Sequence, residues 1–338
     1  MVWLSNIWVL LASFLLANND AFHQASTTLS KYRQSTMLAA QKGLYLERMV
    51  EAKKIEVDAL LRRHQEPDDP LVMRMSYMAS ECKFNVTKSL KRQTADGNLH
   101  TMSVLIDMKR RSPTVPHKRN IVEYSNAGKF AELLTLTGAD AFLLNTDEME
   151  YGGKFSELKD CVRATRAARP KDPPACIHKD IIIHPVQIAQ ALEQGASGVL
   201  LIAAVVGADL EVLLDACTIM GTEAIVEVHT PNELEFALSR GATIFLVNMW
   251  DRTTGKLFPD QAKGMASLMP VNALAIAAGD ISTIEQTSEL GFYGYDSVVL
   301  GRYLAEVPDI KDFIDGVHAF RGMPREMGLG MKGLPWGG

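Results

Sequence analysis

Cysteine is scarce in this sequence, which has four among its 338 residues. The four lie far apart and form no Cys-x-x-Cys pair, so they are too few to staple a chain of this length and are predicted to be free thiols. Positive charge is not in excess either, because the formal net charge is −5. Such a chain offers no basic field to a polyanion, which excludes nucleic-acid binding as the expected function and favours a small-molecule substrate.

Long apolar runs are also missing. The run at residues 7–17 (IWVLLASFLLA) is shorter than the roughly 20 residues of a membrane-spanning helix and suits the apolar region of a signal peptide. Residues 23–37 contain Ser, Thr, Lys and Arg but no Asp or Glu, which is typical of an organelle transit peptide. We therefore predict a leader over residues 1–37 that directs the chain to a plastid, with plain secretion as the alternative, and no membrane segment in the mature protein.

Two cofactor patterns are absent as well. The sequence has no glycine-rich dinucleotide fingerprint, and its His, Cys and carboxylate residues form no set at metal-ligand spacing. We expect neither a cofactor nor a metal.

The two ends of the remaining chain differ from its centre. Residues 46–64 (LERMVEAKKIEVDALLRRH) place Leu, Met and Val at helical spacing, which predicts an amphipathic helix. Residues 65–100 show no clear period and are interpreted as a connecting region that can pack across one end of the domain. We group residues 38–100 as an N-terminal helical extension, and residues 322–338, rich in Gly, Met and Pro, as a flexible tail.

Residues 101–321 alternate short apolar runs with longer helical patterns, as βα units around a parallel sheet do. Eight units favour a closed (β/α)8 TIM barrel of the α/β class over a doubly wound sheet. The predicted strands are Met102–Asp107, Ala141–Asn145, Ala175–His178, Gly198–Ile202, Ala224–Val228, Thr243–Asn248, Ala273–Ala277 and Ser297–Leu300. Three helices are predicted to end at a glycine that precedes the next strand, namely Gly138, Gly195 and Gly241.

Charged and amide side chains stand where several predicted strands end. In such a barrel these residues are the catalytic candidates, because the strand interiors are filled with apolar side chains. Alternation puts Asp107 and Lys109 on one side of the first strand, while Lys179, Glu227 and Asn248 adjoin or lie within other strands at the same end. One such residue alone is typical of a solvated loop, whereas the joint pattern indicates a functional site.

Four segments make the sequence recognisable. MKRRSP at 108–113, IHKDIII at 177–183, AIVEVHTPNELEFAL at 224–238 and FLVNMWDRTTGKLF at 245–258 resemble indole-3-glycerol phosphate synthases in content, order and spacing. The resemblance covers about residues 45–320, including that family's extra N-terminal helix. It implies closure of an indole ring from 1-(2-carboxyphenylamino)-1-deoxyribulose 5-phosphate in tryptophan biosynthesis, which leaves open an association with other enzymes of that pathway.

The resemblance also implies roles for individual residues. Lys109, beside Asp107, would bind the substrate carboxylate and donate a proton, and Lys179 would be the general acid on the substrate's carbonyl or hydroxyl oxygen. Glu227 would serve in the acid–base steps and Asn248 would orient the substrate. Ser112 of the Lys-x-x-Ser-Pro motif and Tyr151 would contact the substrate, although Tyr151 equally suits an aromatic that packs a loop.

A phosphate site is expected in the loops after the seventh and eighth strands, where backbone N–H groups and a helix N-terminus receive an anion. Gly279 and Gly301 follow those strands, and Arg302 can add a charged contact. A lone glycine after a strand is usually a turn, so the pair carries more weight than either residue.

Several positions depart from the family pattern. Asp107 stands where the family has the longer Glu, so its contact with Lys109 is expected to be lost or rearranged. Ala278 replaces a carboxylate, and Asp280 brings a negative charge near the expected phosphate loop. Trp250 and Ile181 replace an Arg and an aromatic residue. Three functions therefore stay open: a synthase with a remodelled pocket, another lyase or isomerase on the same phosphate-binding scaffold, and a non-catalytic binding barrel.

Overall fold

The computed structural model describes residues 46–77, 85–90, 92–93, 100–112, 120–252, 254–307, 309–320 and 322. The predicted leader and nearly all of the predicted tail lie outside the described residues, as does Cys82. Cys161, Cys176 and Cys217 are buried free thiols, as predicted. The chain divides into two units, of which the first contributes residues 46–48, 252 and 254–255 to the described part. The second, Met49–Asp251 with Lys256–Gly338, holds the barrel.

Within the described residues, eight parallel strands close into a barrel in which the last strand pairs with the first. They are β1 (Ser103–Met108), β2 (Ala141–Asn145), β3 (Ala175–Lys179), β4 (Gly198–Ile202), β5 (Glu223–Val228), β6 (Ile244–Asn248), β7 (Leu274–Ala278) and β8 (Ser297–Leu300). The predicted (β/α)8 barrel is confirmed. Three predicted strands have the observed bounds, and the other five differ by one residue at one or both ends.

Helices precede the barrel and connect its strands. They are α1 (residues 46–63), α2 (Pro70–Ser76), α3 (Val86–Leu90), α4 (Ala127–Leu136), α5 (Phe155–Ala168), α6 (Pro185–Glu193), α7 (Ala203–Val206), α8 (Leu210–Ile219), α9 (Pro231–Ser239), α10 (Gln261–Ala266), α11 (Ile284–Phe292) and α12 (Ile310–Ala319). A 3₁₀ turn, Gly207–Asp209, precedes α8, and Arg92–Gln93 pairs antiparallel with His100–Thr101. Among the described residues, no helix has both the length and the apolarity to cross a membrane.

The three predicted helix-ending glycines have left-handed backbone conformations. Their φ angles are +111° at Gly138, +89° at Gly195 and +86° at Gly241. Residues with a side chain rarely adopt these φ angles. Glycine adopts them without steric cost, so it can reverse the chain after a helix. These glycines let α4, α6 and α9 turn sharply into the strands that follow.

Alternation along the strands separates two apolar cores. In β1, Val104 and Ile106 pack outward with the helices, while Leu105 joins the barrel interior. Ile177, Ile225 and Leu246 fill the same interior from β3, β5 and β6. Since side chains alternate, the residues two positions further along these strands also point inward, at the carboxyl ends. Those residues are Asp107, Lys179, Glu227 and Asn248.

The amino end of the barrel is closed by α3. Val86 and Leu90 are fully buried and belong to the interior core. Thr87 donates its backbone N–H and its hydroxyl to the Glu223 carboxylate at the start of β5, at 3.0 and 2.6 Å. Residues 65–100, interpreted as a connecting region without a period, therefore contain two short helices, α2 and α3. Apolar side chains of α3 therefore fill the amino end of the barrel interior.

Candidate active site

Asp107 is the centre of a charged cluster at the end of β1. Its carboxylate is 3% exposed and contacts the Lys109 ammonium at 2.5 Å and the Lys179 ammonium at 3.0 Å. Asn145, at the end of β2, donates its side-chain N–H to the same carboxylate at 2.7 Å. Burial alone would raise the pKa of Asp107, but Lys109 and Lys179 outweigh it and hold that pKa well below its usual range. The Asp107 carboxylate is therefore an anion that orients the Lys109 and Lys179 ammonium groups at the mouth of the barrel.

The Asp107–Lys109 contact, expected to be lost or rearranged, is not lost. Lys109 lies two residues beyond Asp107, so both side chains leave the strand on the same face and the shorter carboxylate still reaches the ammonium. Gly301, after β8, lies against Asp107: a Cβ at position 301 would come within 3.0 Å of the Asp107 Cβ. The missing side chain of Gly301 leaves room for this ion-paired cluster.

Glu227 and Asn248 meet across β5 and β6. Glu227 is 1% exposed, and its Oε1 accepts a hydrogen bond from the Asn248 side-chain N–H at 3.0 Å. The Asn248 Oδ1 accepts the backbone N–H of Trp250 at 3.1 Å, which fixes the orientation of the amide. The Nε2 of His229 lies 3.1 Å from the same Glu227 oxygen. His229, two residues after Glu227 and on the same side by alternation, is buried and contacts the candidate acid–base residue directly.

The loops after β7 and β8 contain the residues that are expected to bind phosphate. Gly279 has φ +102°, and a Cβ there would come within 3.1 Å of the Asn248 Oδ1, so a side chain is excluded by conformation and by space. Asp280 is also left-handed, at φ +56°. Its carboxylate accepts a hydrogen bond from the Tyr303 hydroxyl at 2.6 Å, which disperses part of the charge beside this loop. The guanidinium of Arg302 lies 5.6 Å from the centre of the Trp250 ring, at cation–π distance.

Ser112 and Tyr151 lie on the loops after β1 and β2 and are buried. The backbone carbonyl of Tyr151 accepts the N–H groups of Arg110 and Arg111 at 3.1 and 3.0 Å. The Arg110 guanidinium pairs with both oxygens of Glu157 on α5, at 2.9 and 2.7 Å. These bonds join the segment around Ser112 to the second loop through the backbone of Tyr151.

Helix α1 reaches the site through Lys53. The buried ammonium of Lys53 pairs with Asp180 at 2.9 Å, directly after Lys179 in sequence. Burial alone would lower the pKa of Lys53, but Asp180 and Glu56 outweigh it and raise that pKa. The Thr146 hydroxyl donates to Asp180 at 2.6 Å, and its backbone N–H donates to the Lys179 carbonyl at 3.1 Å. The N-terminal helix is thereby tied to the strand end that carries Lys179.

His178 faces away from Lys179, as alternation predicts, and is held in its neutral form. Because the Thr146 hydroxyl donates to Asp180, it accepts from His178 Nε2 at 2.9 Å. The Nδ1 of His178 is buried and has no hydrogen-bond partner in the part of the chain that the structure describes. Burial lowers the pKa of His178 to about 4, with Asp180 opposing and Lys53 assisting this shift.

His178 should therefore make the protein sensitive to acid. The unfolded state binds a proton near pH 6.5, whereas the folded state resists it until about pH 4, so this contribution to stability is complete above pH 6.5 and is lost as the pH falls towards 4. The shift corresponds to about 3 kcal/mol. Urea unfolding at pH 7 and pH 4.5 should show a smaller loss of unfolding free energy in His178→Gln than in the unsubstituted protein. Equal losses in both proteins would contradict the prediction.

Within the described residues, the His, Cys, Asp and Glu side chains form no group of three or more that can hold a metal ion. The arrangement instead offers two ammonium groups around one carboxylate, and a buried carboxylate held by an amide and an imidazole. Such a set supplies proton donors and a proton acceptor on facing sides of one barrel mouth.

Comparisons with known proteins agree with the four motifs. A family model described as indole-3-glycerol phosphate synthase matches residues 46–317. The chain is 33% identical over 210 residues to the indole-3-glycerol phosphate synthase of Opitutus terrae, covering 62% of this chain and 77% of that protein. It is 28% identical over 269 residues to that of a Roseiflexus species, covering 79% and 95%, and 28% identical over 271 residues to that of Chlorobium chlorochromatii, covering 80% and 98%.

Proposed function

Because this chain belongs to the indole-3-glycerol phosphate synthase family, we propose a role in indole ring closure for each group at the mouth of its barrel. The chain is a carboxy-lyase of tryptophan biosynthesis. The observation that carries the role assignment is the joint placement of Lys109 and Lys179 on the Asp107 carboxylate, with Glu227 held by Asn248 at the same barrel end. We propose 1-(2-carboxyphenylamino)-1-deoxyribulose 5-phosphate as the substrate.

The first chemical step forms a carbon–carbon bond between the aromatic ring and the carbonyl carbon of the sugar chain. Its carbonyl oxygen gains negative charge and must receive a proton, which Lys179 donates as general acid. Lys109 binds the carboxylate of the aromatic ring through its ammonium group. Asp107 keeps the two ammonium groups apart and oriented, since each contacts a different oxygen of its carboxylate.

The later steps lose carbon dioxide and water. Loss of the carboxylate as carbon dioxide returns the bonding electrons to the ring. The hydroxyl group made in the first step then leaves as water, which needs one proton on that oxygen and the removal of another from the new ring. We assign the removal to Glu227, whose carboxylate is buried inside the barrel, and the orientation of the substrate to Asn248. Ala278 offers no carboxylate, so this acid–base work falls to Glu227 and the lysines.

The phosphate of the substrate is assigned to the loops after β7 and β8. Backbone N–H groups near Gly279 and Gly301 approach an anion closely because no side chain intervenes. Arg302 contributes the positive charge, and the hydrogen bond from Tyr303 reduces the repulsion that Asp280 exerts. Ser112 and Tyr151 are assigned to the rim of the substrate pocket.

The test is turnover of the leader-free protein. Indole product fluoresces, so mixing the protein with 1-(2-carboxyphenylamino)-1-deoxyribulose 5-phosphate should give a rise in fluorescence that saturates with substrate. A folded protein that gives no rise would overturn the role assignments and leave another phosphate-bearing substrate or a binding function.

We further propose that residues 1–37 deliver the protein to a plastid. The support is their composition, an apolar run followed by a segment that is basic and free of acidic residues. Fusion of these residues to a fluorescent protein should label plastids, and export to the medium would favour secretion instead. In that compartment we propose an association with other enzymes of the tryptophan pathway, which co-purification from plastid extract tests.

A further inference from the structure

His229 lies between two carboxylates, and this arrangement fixes the number of protons at the candidate acid–base residue. One ring nitrogen, Nε2, is 3.1 Å from Oε1 of Glu227, and the other, Nδ1, is 3.1 Å from Oε2 of Glu233. His229 is 2% exposed and Glu227 is 1% exposed, so the contact between them is shielded from bulk water. Glu233 stands in the first turn of α9 and is partly exposed.

Both carboxylate oxygens of Glu233 accept hydrogen bonds from other groups. Its Oε2 accepts the backbone N–H of His229 at 2.8 Å. The Thr230 hydroxyl oxygen accepts the backbone N–H of Glu233 and lies 3.2 Å from the second carboxylate oxygen, to which it donates. Because these oxygens act as acceptors, the 3.1 Å contact to the ring is assigned to a hydrogen bond that Nδ1 donates.

The contact on the other side of the ring needs a second proton. Oε1 of Glu227 already accepts from Asn248, whose orientation is set by the Trp250 N–H. An imidazole with a proton on Nδ1 alone has a bare Nε2, and a bare nitrogen facing an ionised carboxylate forms no hydrogen bond. Either the ring is an imidazolium beside a carboxylate, or a neutral ring accepts from a protonated Glu227. Both forms contain one shared proton between Glu227 and His229.

We propose that His229 is a positioning residue that keeps this proton at Glu227, and that Glu233 sets the ring tautomer that makes it possible. The inference rests on the acid–base role proposed for Glu227. When Glu227 gives a proton to the reacting ring system or takes one from it, the partner imidazole holds the compensating charge, so the pair alternates between donor and acceptor without exchange with water. Apart from Glu227 and Glu233, the groups packed against this pair include the neutral amide of Asn248.

The state of the resting protein gives the first test. Nitrogen NMR of histidine-labelled protein at pH 7, assigned to His229 with the His229→Gln variant, should show a protonated Nδ1. A bare Nδ1 would overturn the inference. This measurement needs no substrate and no catalysis, so it remains decisive even if the proposed turnover is not found.

Kinetics give the second test. Glu233→Ala removes the acceptor of the Nδ1 proton, so the ring can carry a single proton on Nε2 and the pair loses its second proton; we expect kcat to fall by about 100-fold with KM changed less than threefold. Glu235→Ala, at an exposed position on the same helix, is the matched control and should keep the full kcat. His229→Gln still donates a hydrogen bond towards Glu227 but cannot hold a proton, so its kcat should stay low; full activity in either His229→Gln or Glu233→Ala would overturn the inference.

Discussion

Replacing Lys179 by Met is expected to lower kcat by about 1,000-fold or more, because it removes the general acid and keeps the length of the side chain. The Lys179 ammonium lies 3.0 Å from Asp107 and is mostly buried, so water cannot easily take its place beside the substrate oxygen. Lys109 and Asn145 still contact Asp107 in this variant, and the buried carboxylate is not left without partners. The fold should therefore survive.

The measurement is the rate of indole fluorescence at saturating substrate, with near-ultraviolet circular dichroism to show that the variant is folded. Lys159→Met is a matched control. Lys159 is exposed on α5, and its substitution removes the same charge away from the proposed chemistry. We expect it to retain the unsubstituted rate. A folded Lys179→Met protein with more than a tenth of that rate would exclude Lys179 as the principal acid.

The sequence could predict which face of its strand each site side chain leaves, because alternation along a strand is a local property. Once Leu105, Ile177 and Ile225 are known to face the barrel interior, alternation turns Asp107, Lys179 and Glu227 inward as well. Their partners were not predictable in the same way. The amide of Asn145 reaches Asp107 because β2 pairs with β1 in one particular register, and nothing within either strand specifies that register.

Two other features were missed for different reasons. The helix Val86–Leu90 has five residues, too few to display a helical period, and its place at the foot of the barrel depends on a distant carboxylate, Glu223. His229 offered a usable signal: Glu233 follows it by four residues and stands in the first turn of a helix that begins at Pro231. A histidine placed just before such a turn can reach an acidic side chain in it.

Some departures from the family pattern matter less in three dimensions than in the sequence. Asp107 keeps both lysines despite its shorter side chain, and Asp280 has a hydrogen-bond donor in Tyr303. Ala278 is different, because it is buried in the interior core and pairs with Asn248, and the residues of β7 (Leu274–Ala278) include no carboxylate. The consequence is a greater dependence on Glu227.

That dependence leads to the second large effect: Glu227→Gln is expected to lower kcat by about 100- to 10,000-fold while KM changes little. The glutamine has nearly the volume of glutamate and can still accept from Asn248, so the substrate pocket keeps its shape. It cannot accept or release a proton, and dehydration of the new ring requires one to be removed.

A matched control lies on the same strand. Glu223→Gln makes the identical change at the opposite end of β5, where the carboxylate holds Thr87 of α3. It should lower the unfolding free energy by about 1–2 kcal/mol, since hydrogen bonds to a charged group are weakened, and leave kcat unaltered. Loss of activity in Glu223→Gln together with full activity in Glu227→Gln would reverse the assignment of the two ends of the barrel. Activity loss confined to Glu227→Gln would place the proton transfer at the carboxyl end of β5, where alternation turns this carboxylate towards Asn248 and the lysines of the barrel mouth.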